Sequence, residues 1–452
     1  MTLLTTHSTT ILRGQTLRFR DDPFAVAPDA AVEHHTDGAV AIAGGKIIAV
    51  GPAGDIIAAH PQATIETYPH HLIMAGFVDC HAHYPQTGII ASYGEQLLEW
   101  LNKYTFPEEC KFGDPAYAER IASLFLDELL RNGTTTVCAY CTTHPGSADA
   151  FFTAAQARGM CVAAGKVMMD RHAPDALLDT AQRGYEESKA LIARWHGVDR
   201  LAYAVTPRFA ITSTPAQLEA AGTLWREHPT TLMQTHLSEN LREIAWTRAL
   251  YPDAPDYLGV YERYGLAGPG ANFGHAIHLS PREFAALAET GSGISHCPTS
   301  NLFIGSGLFD MDAARGRRPP ITAGLGTDVG GGSSFSMLAT MKASYEICQL
   351  RGYSLHPAKA FWLATVGSAQ VMRMDGSIGN LAPGHDADIA VLDLASTPLI
   401  AERTRRAADL WEVLFIQMIL ADDRAIAATY VGGAKAHCRD VAPLGGCCTN
   451  AG

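Results

Sequence analysis

The sequence predicts an α/β fold, a (β/α)8 TIM-type barrel carrying a small β-sandwich built from both ends of the chain. Three observations predict it. Short apolar runs alternate with helical stretches through the central part of the chain, about residues 72–370. Strand-like runs before residue 70 are too few to make a sheet alone and find matching runs near the C-terminus. Side chains able to bind a metal follow several central strands at their C-terminal ends, where a barrel carries its chemistry.

The chain has 452 residues, of which 47% are hydrophobic and 18% charged, enough apolar surface for a large packed core. A net charge of −12 argues against a nucleic-acid backbone or an anionic membrane as partner. No apolar run is as long as a membrane span and the N-terminus lacks a signal-peptide pattern, so a cytoplasmic protein is expected. The ten cysteines are scattered, mostly in apolar runs, and are expected to be buried thiols without disulfides. Cys138 and Cys141 have C-x-x-C spacing but stand alone in a Thr-rich strand, a poor match to a redox or zinc-ribbon motif.

Taken in order, Val40–Ala43 and Lys46–Val50 flank Gly44-Gly45, a two-residue hairpin turn. Asp388–Asp393 and Ala427–Val431 read as strands at the far end. Residues 1–70 and 375–442 are therefore expected to form one small sandwich domain, with the catalytic barrel at 71–374 and a flexible tail at 443–452. The barrel strands are predicted at Leu72–Val78, Thr134–Ala139, Cys161–Val167, Leu201–Val205, Thr231–Thr235, Ala271–Gly274, Gly293–Ser295 and Thr322–Gly326. Between them, Asp114-Pro115 opens a helix with Ile121, Leu124, Phe125 and Leu129 near helical spacing. Thr214-Pro215-Ala216-Gln217 and Ser280-Pro281-Arg282-Glu283 read as capping boxes with proline at the first helical position. The segment Tyr84–Gly113, with Trp100, Tyr104 and Phe106, is long enough to be functional; it is predicted to be partly helical and to cover the pocket. An open doubly wound sheet would show a Gly-rich phosphate turn after an early strand, and none is present.

The first barrel strand runs into Gly76-Phe77-Val78-Asp79-Cys80-His81-Ala82-His83, and strand alternation puts His81 and His83 on one face. Alone, such a pair is as consistent with two loop histidines as with a metal site. The rest of the chain supplies companions: His236 follows the fifth strand, His275 the sixth and Asp328 the eighth. Each has an ordinary explanation by itself, a loop histidine or an aspartate capping a turn. Their joint placement at strand ends selects the metal reading, and imidazole suits zinc or iron better than magnesium or calcium. Such a set performs metal-assisted hydrolysis: the ion lowers the pKa of water toward about 7, and a neighbouring carboxylate moves its proton. Asp328 could take that proton, and Glu239, three residues past His236, stands where a proton shuttle belongs.

These residues resemble the pattern of the amidohydrolase superfamily, G-F-V-D-x-H-x-H on the first strand, His on the fifth and sixth, and Asp on the eighth. The flanking stretches are more specific. Leu97–Glu108, Thr206–Ala210, Gln234–Asn240, Ser295–Leu302 and Gly326–Gly332 are similar to the guanine deaminases of that superfamily. The resemblance implies that His81, His83, His236 and Asp328 hold one zinc ion per subunit. It implies Glu239 as proton shuttle, with Asp328 and His275 as further catalytic residues, and Gln86, Trp100, Arg208 and Phe209 as the purine-binding set. The implied reaction is hydrolytic deamination of guanine at C2, giving xanthine and ammonia, in a cytoplasmic homodimer of purine metabolism. Arg208 fits it physically, because a guanidinium has donors only and pairs with the guanine O6 but not with an amino group there. Phe209 offers a stacking face. Four protein ligands plus water exceed the usual zinc arrangement and imply a five-coordinate ion. One departure is Ala75, where the family has proline before Gly-Phe; it touches the backbone turn and no ligand.

The nearest alternative is a superfamily deaminase or chlorohydrolase acting on a related purine, pterin or triazine; the Arg208-Phe209 pair and the Trp100 loop favour guanine. A metal-free scaffold is disfavoured because every ligand position is filled. A nucleic-acid deaminase is disfavoured by charge and by the absence of an H-x-E with P-C-x-x-C pattern. His144, His172 and His296 are read as structural or supporting residues.

Overall fold

The computed structural model describes residues 8–440; the expected tail at 443–452, with Cys447 and Cys448, lies outside the described residues. In chain order the strands are β1 (Thr10–Phe19), β2 (Val32–Ala43), β3 (Lys46–Pro52), β4 (Thr64–Ala75), β5 (Phe77–His83), β6 (Thr134–Tyr140), β7 (Cys161–Gly165), β8 (Val167–Met168) and β9 (Leu201–Pro207). They continue as β10 (Leu232–Leu237), β11 (Ala271–His275), β12 (Gly293–His296), β13 (Thr322–Leu325), β14 (Ile389–Asp393), β15 (Ile426–Val431) and β16 (Ala434–Cys438).

The terminal strands form one seven-stranded sheet in the order β16-β15-β14-β4-β1-β2-β3. The β2–β3 hairpin turns on Gly44 and Gly45, both at positive φ (56° and 78°), the backbone a two-residue hairpin turn needs and glycine adopts freely. The sheet curls until this turn meets the segment before β14, where the Ile47 N–H donates to the His385 carbonyl (2.9 Å). Leu12, Val40, Ile42 and Ile47 from one half then share a core with Ile389, Val391 and Tyr430 from the other.

The central strands run parallel in the order β5-β6-β7-β9-β10-β11-β12-β13, with the short β8 beside β9. Hydrogen bonds close the ring between its ends: Asp328 N–H donates to the His81 carbonyl (2.8 Å) and Thr327 N–H to Asp79 Oδ1 (3.0 Å). Asp79, lifted to about 7 by burial, thus ties the first strand to the last.

The structure corrects the expected first strand. Leu72–Ala75 ends β4 and pairs with β14 (Ile73 opposite Val391, Ala75 opposite Ile389), so the Leu72–Val78 run belongs to two sheets. The chain passes from one to the other at Gly76, whose N–H donates to Asp388 while that of Phe77 donates to Gly133 (both 2.9 Å). A Cβ at Gly76 would fall 2.3 Å from Thr135 Oγ1, so the crossing admits no side chain.

Helix signals fare unevenly. Asp114 caps the helix Pro115–Arg131, which buries Ile121, Phe125 and Leu129, but Leu124 lies at the stripe's edge and is 43% exposed. Ser280 and Glu283 form the full capping box. At Thr214 only half of the box exists, because Asp170 takes the Thr214 N–H (2.7 Å) and Gln217 does not reach back. The Tyr84–Gly113 segment is largely helical, in short turns from Leu97 to Gly113. Its Leu97, Trp100, Leu101 and Phe106 pack against Phe209, Tyr140 and Ile304 over the barrel mouth.

Candidate active site

His81 and His83 project from β5, His236 from β10 and His275 from the end of β11, and Asp328 lies three residues past β13. One nitrogen from each of His81, His83 and His236 falls within 4.8 Å of the others. His83 Nε2 and His236 Nε2 are 3.1 Å apart, and Asp328 Oδ1 is 3.4 Å from both His81 Nε2 and His83 Nε2. Space for His81 is made by a glycine, since a Cβ at Gly274 would fall 2.5 Å from its ring.

The cluster meets the chemical requirements of a cation site. Both ring nitrogens of His81 and Nδ1 of His83 are buried without a hydrogen-bond partner among the described residues. An unmet buried polar group costs about 1–3 kcal/mol, which a bound ion offsets. His236 Nδ1 sits 2.7 Å from the Arg208 carbonyl, so it carries the proton and its Nε2 lone pair faces the cluster. Burial pushes His81, His83 and His236 down, the last two well below the usual imidazole range, so all three stay neutral, the form that ligates. Asp328 behaves oppositely. Burial pushes it up, but the surrounding imidazoles, the adjacent His81 first and then His275, hold it at about 2. Its φ of 50° is uncommon for aspartate and aims the carboxylate inward.

Glu239 lies beside this cluster. Its backbone N–H and that of Asn240 both donate to Glu243 Oε2 (2.9 and 3.0 Å), which fixes the loop after β10. Ser306 Oγ donates to Glu239 Oε1 (2.9 Å), and its Oε2 is 3.5 Å from His275 Nε2. Burial lifts the Glu239 carboxyl to about 7. His275 Nδ1 pairs with Asn301 Oδ1 (2.9 Å), so its Nε2 faces Glu239 and Asp328. Burial lowers His275, but those two carboxylates and Asn301 raise it overall.

Gln86, Trp100, Arg208 and Phe209 line a cavity that His83, His236, Glu239, His275 and Asp328 also line, so every site residue expected from the sequence except the enclosed His81 borders one space. Two residues missed by sequence reasoning hold its walls from behind. Glu109, fully buried, receives Arg208 Nη1 at both oxygens (2.9 and 2.8 Å) and Gln86 Nε2 at Oε1 (3.3 Å). Ser306 holds Glu239. Arg208 therefore enters the pocket as half of an ion pair. Burial pushes Glu109 up, against the pull of Arg208. In sequence, Phe106-Pro107-Glu108-Glu109 reads as the acidic first turn of a helix, and nothing there marks one glutamate as buried.

The remaining histidines are placed outside the cluster. His172 bonds the Ile211 carbonyl and packs on Trp246, His144 is half-buried against Gly113, and His296 is buried against Phe309 and pushed down to about 3. Cys138 donates to Gln234 Oε1 (3.2 Å), and the eight described cysteines are free thiols. Among the described residues no helix is long and apolar enough to cross a membrane.

The amidohydrolase family model matches residues 72–435, and a short imidazolonepropionase-like composite domain model matches 38–63. With its parallel barrel and histidine–aspartate cluster, the chain belongs to the amidohydrolase family. It is 46% identical over 431 residues to the guanine deaminase of Escherichia coli (strain K12), covering 94% of this chain and 97% of that one. A crystal structure of guanine deaminase from Bradyrhizobium japonicum superposes with a TM-score of 0.92 at 37% identity, covering 96% of this chain and all of that one. The guanine deaminase from C. acetobutylicum, solved with guanine bound in its active site, superposes at 0.85 with 28% identity, covering 95% and 100%. Within the family the chain stands with the guanine deaminases.

The helical cover over the mouth carries a prediction. Backbone amides of Leu97–Phe106 exchange more slowly when guanine or xanthine fills the cavity; unchanged exchange at saturating ligand would rule out a covering role.

Proposed function

We propose that this chain hydrolyses guanine to xanthine and ammonia, with one zinc ion held by His81, His83, His236 and Asp328. The observation that carries this reading is the double use of Arg208. Its carbonyl accepts the Nδ1–H of His236, and its guanidinium faces the cavity as a donor-only group suited to the guanine O6. One residue thus places a metal ligand and a purine carbonyl in fixed relation. The guanine-bound relative supports the same substrate.

A bound divalent ion supplies a nucleophile at neutral pH by lowering the pKa of its water toward about 7. The chain's own residues do the rest. Phe209 and Trp100 offer apolar faces to the ring, while Arg208 and Gln86 orient it edge-on. Asp328, ionised at neutral pH, accepts the proton of the attacking water. Glu239, with its proton affinity near neutrality, delivers a proton to a ring nitrogen beside C2, and His275 donates from Nε2 near the attacked carbon. The leaving amino group takes the proton that Asp328 removed from water, Glu239 recovers a proton from the new C2 hydroxyl, and collapse of the tetrahedral centre expels ammonia. The covering segment excludes bulk water. A cytoplasmic homodimer acting in purine catabolism completes the reading, supported by acidic composition and by the resemblance to guanine deaminases.

The direct test is ammonia release and xanthine formation from guanine, with adenine, cytosine and ammeline as controls, run on protein of measured metal content. Stoichiometric zinc with turnover of guanine alone is expected; no activity on guanine ends the reading.

A further inference from the structure

We propose that Glu109 is a positioning residue that sets the polarity of the purine pocket by turning the amide of Gln86 so that its oxygen faces the substrate. The inference rests on the guanine reading above and adds a specificity device to it.

The geometry is a three-residue network behind the cavity wall. One carboxylate oxygen, Glu109 Oε1, receives both Arg208 Nη1 (2.9 Å) and Gln86 Nε2 (3.3 Å), which sets the two side chains next to each other. Ionised carboxylates only accept. Glu109 therefore holds the nitrogen end of the Gln86 amide on its own side through one of its two N–H donors, and Oε1 takes the opposite side. That oxygen has no protein donor among the described residues and belongs to a residue that lines the cavity. It packs beside the backbone of Gly330 (φ 116°), where a Cβ would stand 2.1 Å away, so only glycine leaves room for the amide in this orientation.

The pocket then offers a donor from Arg208 next to an acceptor from Gln86. Guanine presents the complement, the O6 carbonyl next to N1–H. A 6-aminopurine presents the reverse, an amino group next to an unprotonated ring nitrogen, and mispairs at both places. Without Glu109 the Gln86 amide can rotate by half a turn and serve either pattern. The carboxylate thus does two things: it neutralises the buried Arg208 charge and removes the ambiguity of an amide whose two ends are alike in shape.

The test compares kcat/KM for guanine with that for 2,6-diaminopurine, which carries the same C2 amino group and the reversed pattern at positions 6 and 1. The wild type is expected to prefer guanine by on the order of 10⁴. Glu109→Gln, which can donate as well as accept, and Gln86→Met, which has no amide oxygen, should each narrow that preference by about 10- to 100-fold, through a raised KM for guanine. The double variant should narrow it no further than either single one, because Glu109 acts through Gln86. A purely structural role for Glu109 would instead lower both substrates together and leave the ratio intact. Should Glu109→Gln not fold, Glu109→Asp keeps the charge for Arg208 but withdraws from Gln86, and the same narrowing is expected. A ratio within about twofold of the wild type in folded Glu109 variants would overturn the inference. A wild type inactive on guanine would overturn the functional reading itself, whereas an active wild type with an unmoved ratio would sink only this step.

Discussion

Glu239→Gln keeps its metal and loses about 10²- to 10⁴-fold in kcat, the range that a positioned proton-transfer group contributes. The amide is nearly the same shape and can still accept the Ser306 hydroxyl, so the loop held by Glu243 is undisturbed. What it lacks is a proton that leaves and returns near neutral pH. The check is turnover of guanine alongside metal analysis, and wild-type turnover in a metal-replete variant would reject the assignment. A second readout follows from the raised carboxyl. Its folded-state pKa, about 7, exceeds the unfolded value, so ionising it weakens the fold. In the metal-free protein this group's contribution is full below about pH 4.5 and is lost as pH rises through about 7. The glutamine variant escapes that loss and should melt higher than the parent at pH 8 and the same at pH 4.

Asp328→Asn, by contrast, loses metal and turnover together. Asp328 is the one residue of the cluster that brings a negative charge, and its carboxylate sits within 3.6 Å of nitrogens from His81, His83 and His275. Loss of a supporting residue around a metal site costs about 10- to 100-fold in affinity, and loss of a charged ligand should cost more. Elemental analysis after dialysis measures the first effect. The second persists when metal is restored at high concentration, because the asparagine cannot take the proton from water. Full occupancy and full rate in this variant would remove Asp328 from both roles.

The centre was legible because barrels gather strand ends, so His81, His83, His236, His275 and Asp328 could be read as one set from their positions after apolar runs. Three features were not. Leu72–Ala75 has the composition of any buried strand, and only pairing with β14 assigns it to the terminal sheet rather than to the barrel. Thr214 has the residues of a capping box, but a distant aspartate, Asp170, competes for the backbone donor. Glu109 looks like a solvated helix-start glutamate; what makes it part of the pocket is burial against Arg208, almost a hundred positions away. Local pattern carries element type and face, whereas partners chosen across the chain do not appear in it.

The placement of β4 has a consequence for synthesis. Its neighbours are β1, made shortly before it, and β14, made more than three hundred residues later. While the ribosome is building the barrel, the Leu72–Ala75 side of β4 presents an open row of backbone donors and acceptors flanked by apolar side chains, the kind of edge that recruits other chains. The strand carrying His81 and His83 begins two residues beyond that edge. Until β14 is made, the strand that carries His81 and His83 therefore follows an uncovered edge, and the last quarter of the sequence acts as the clasp that closes it.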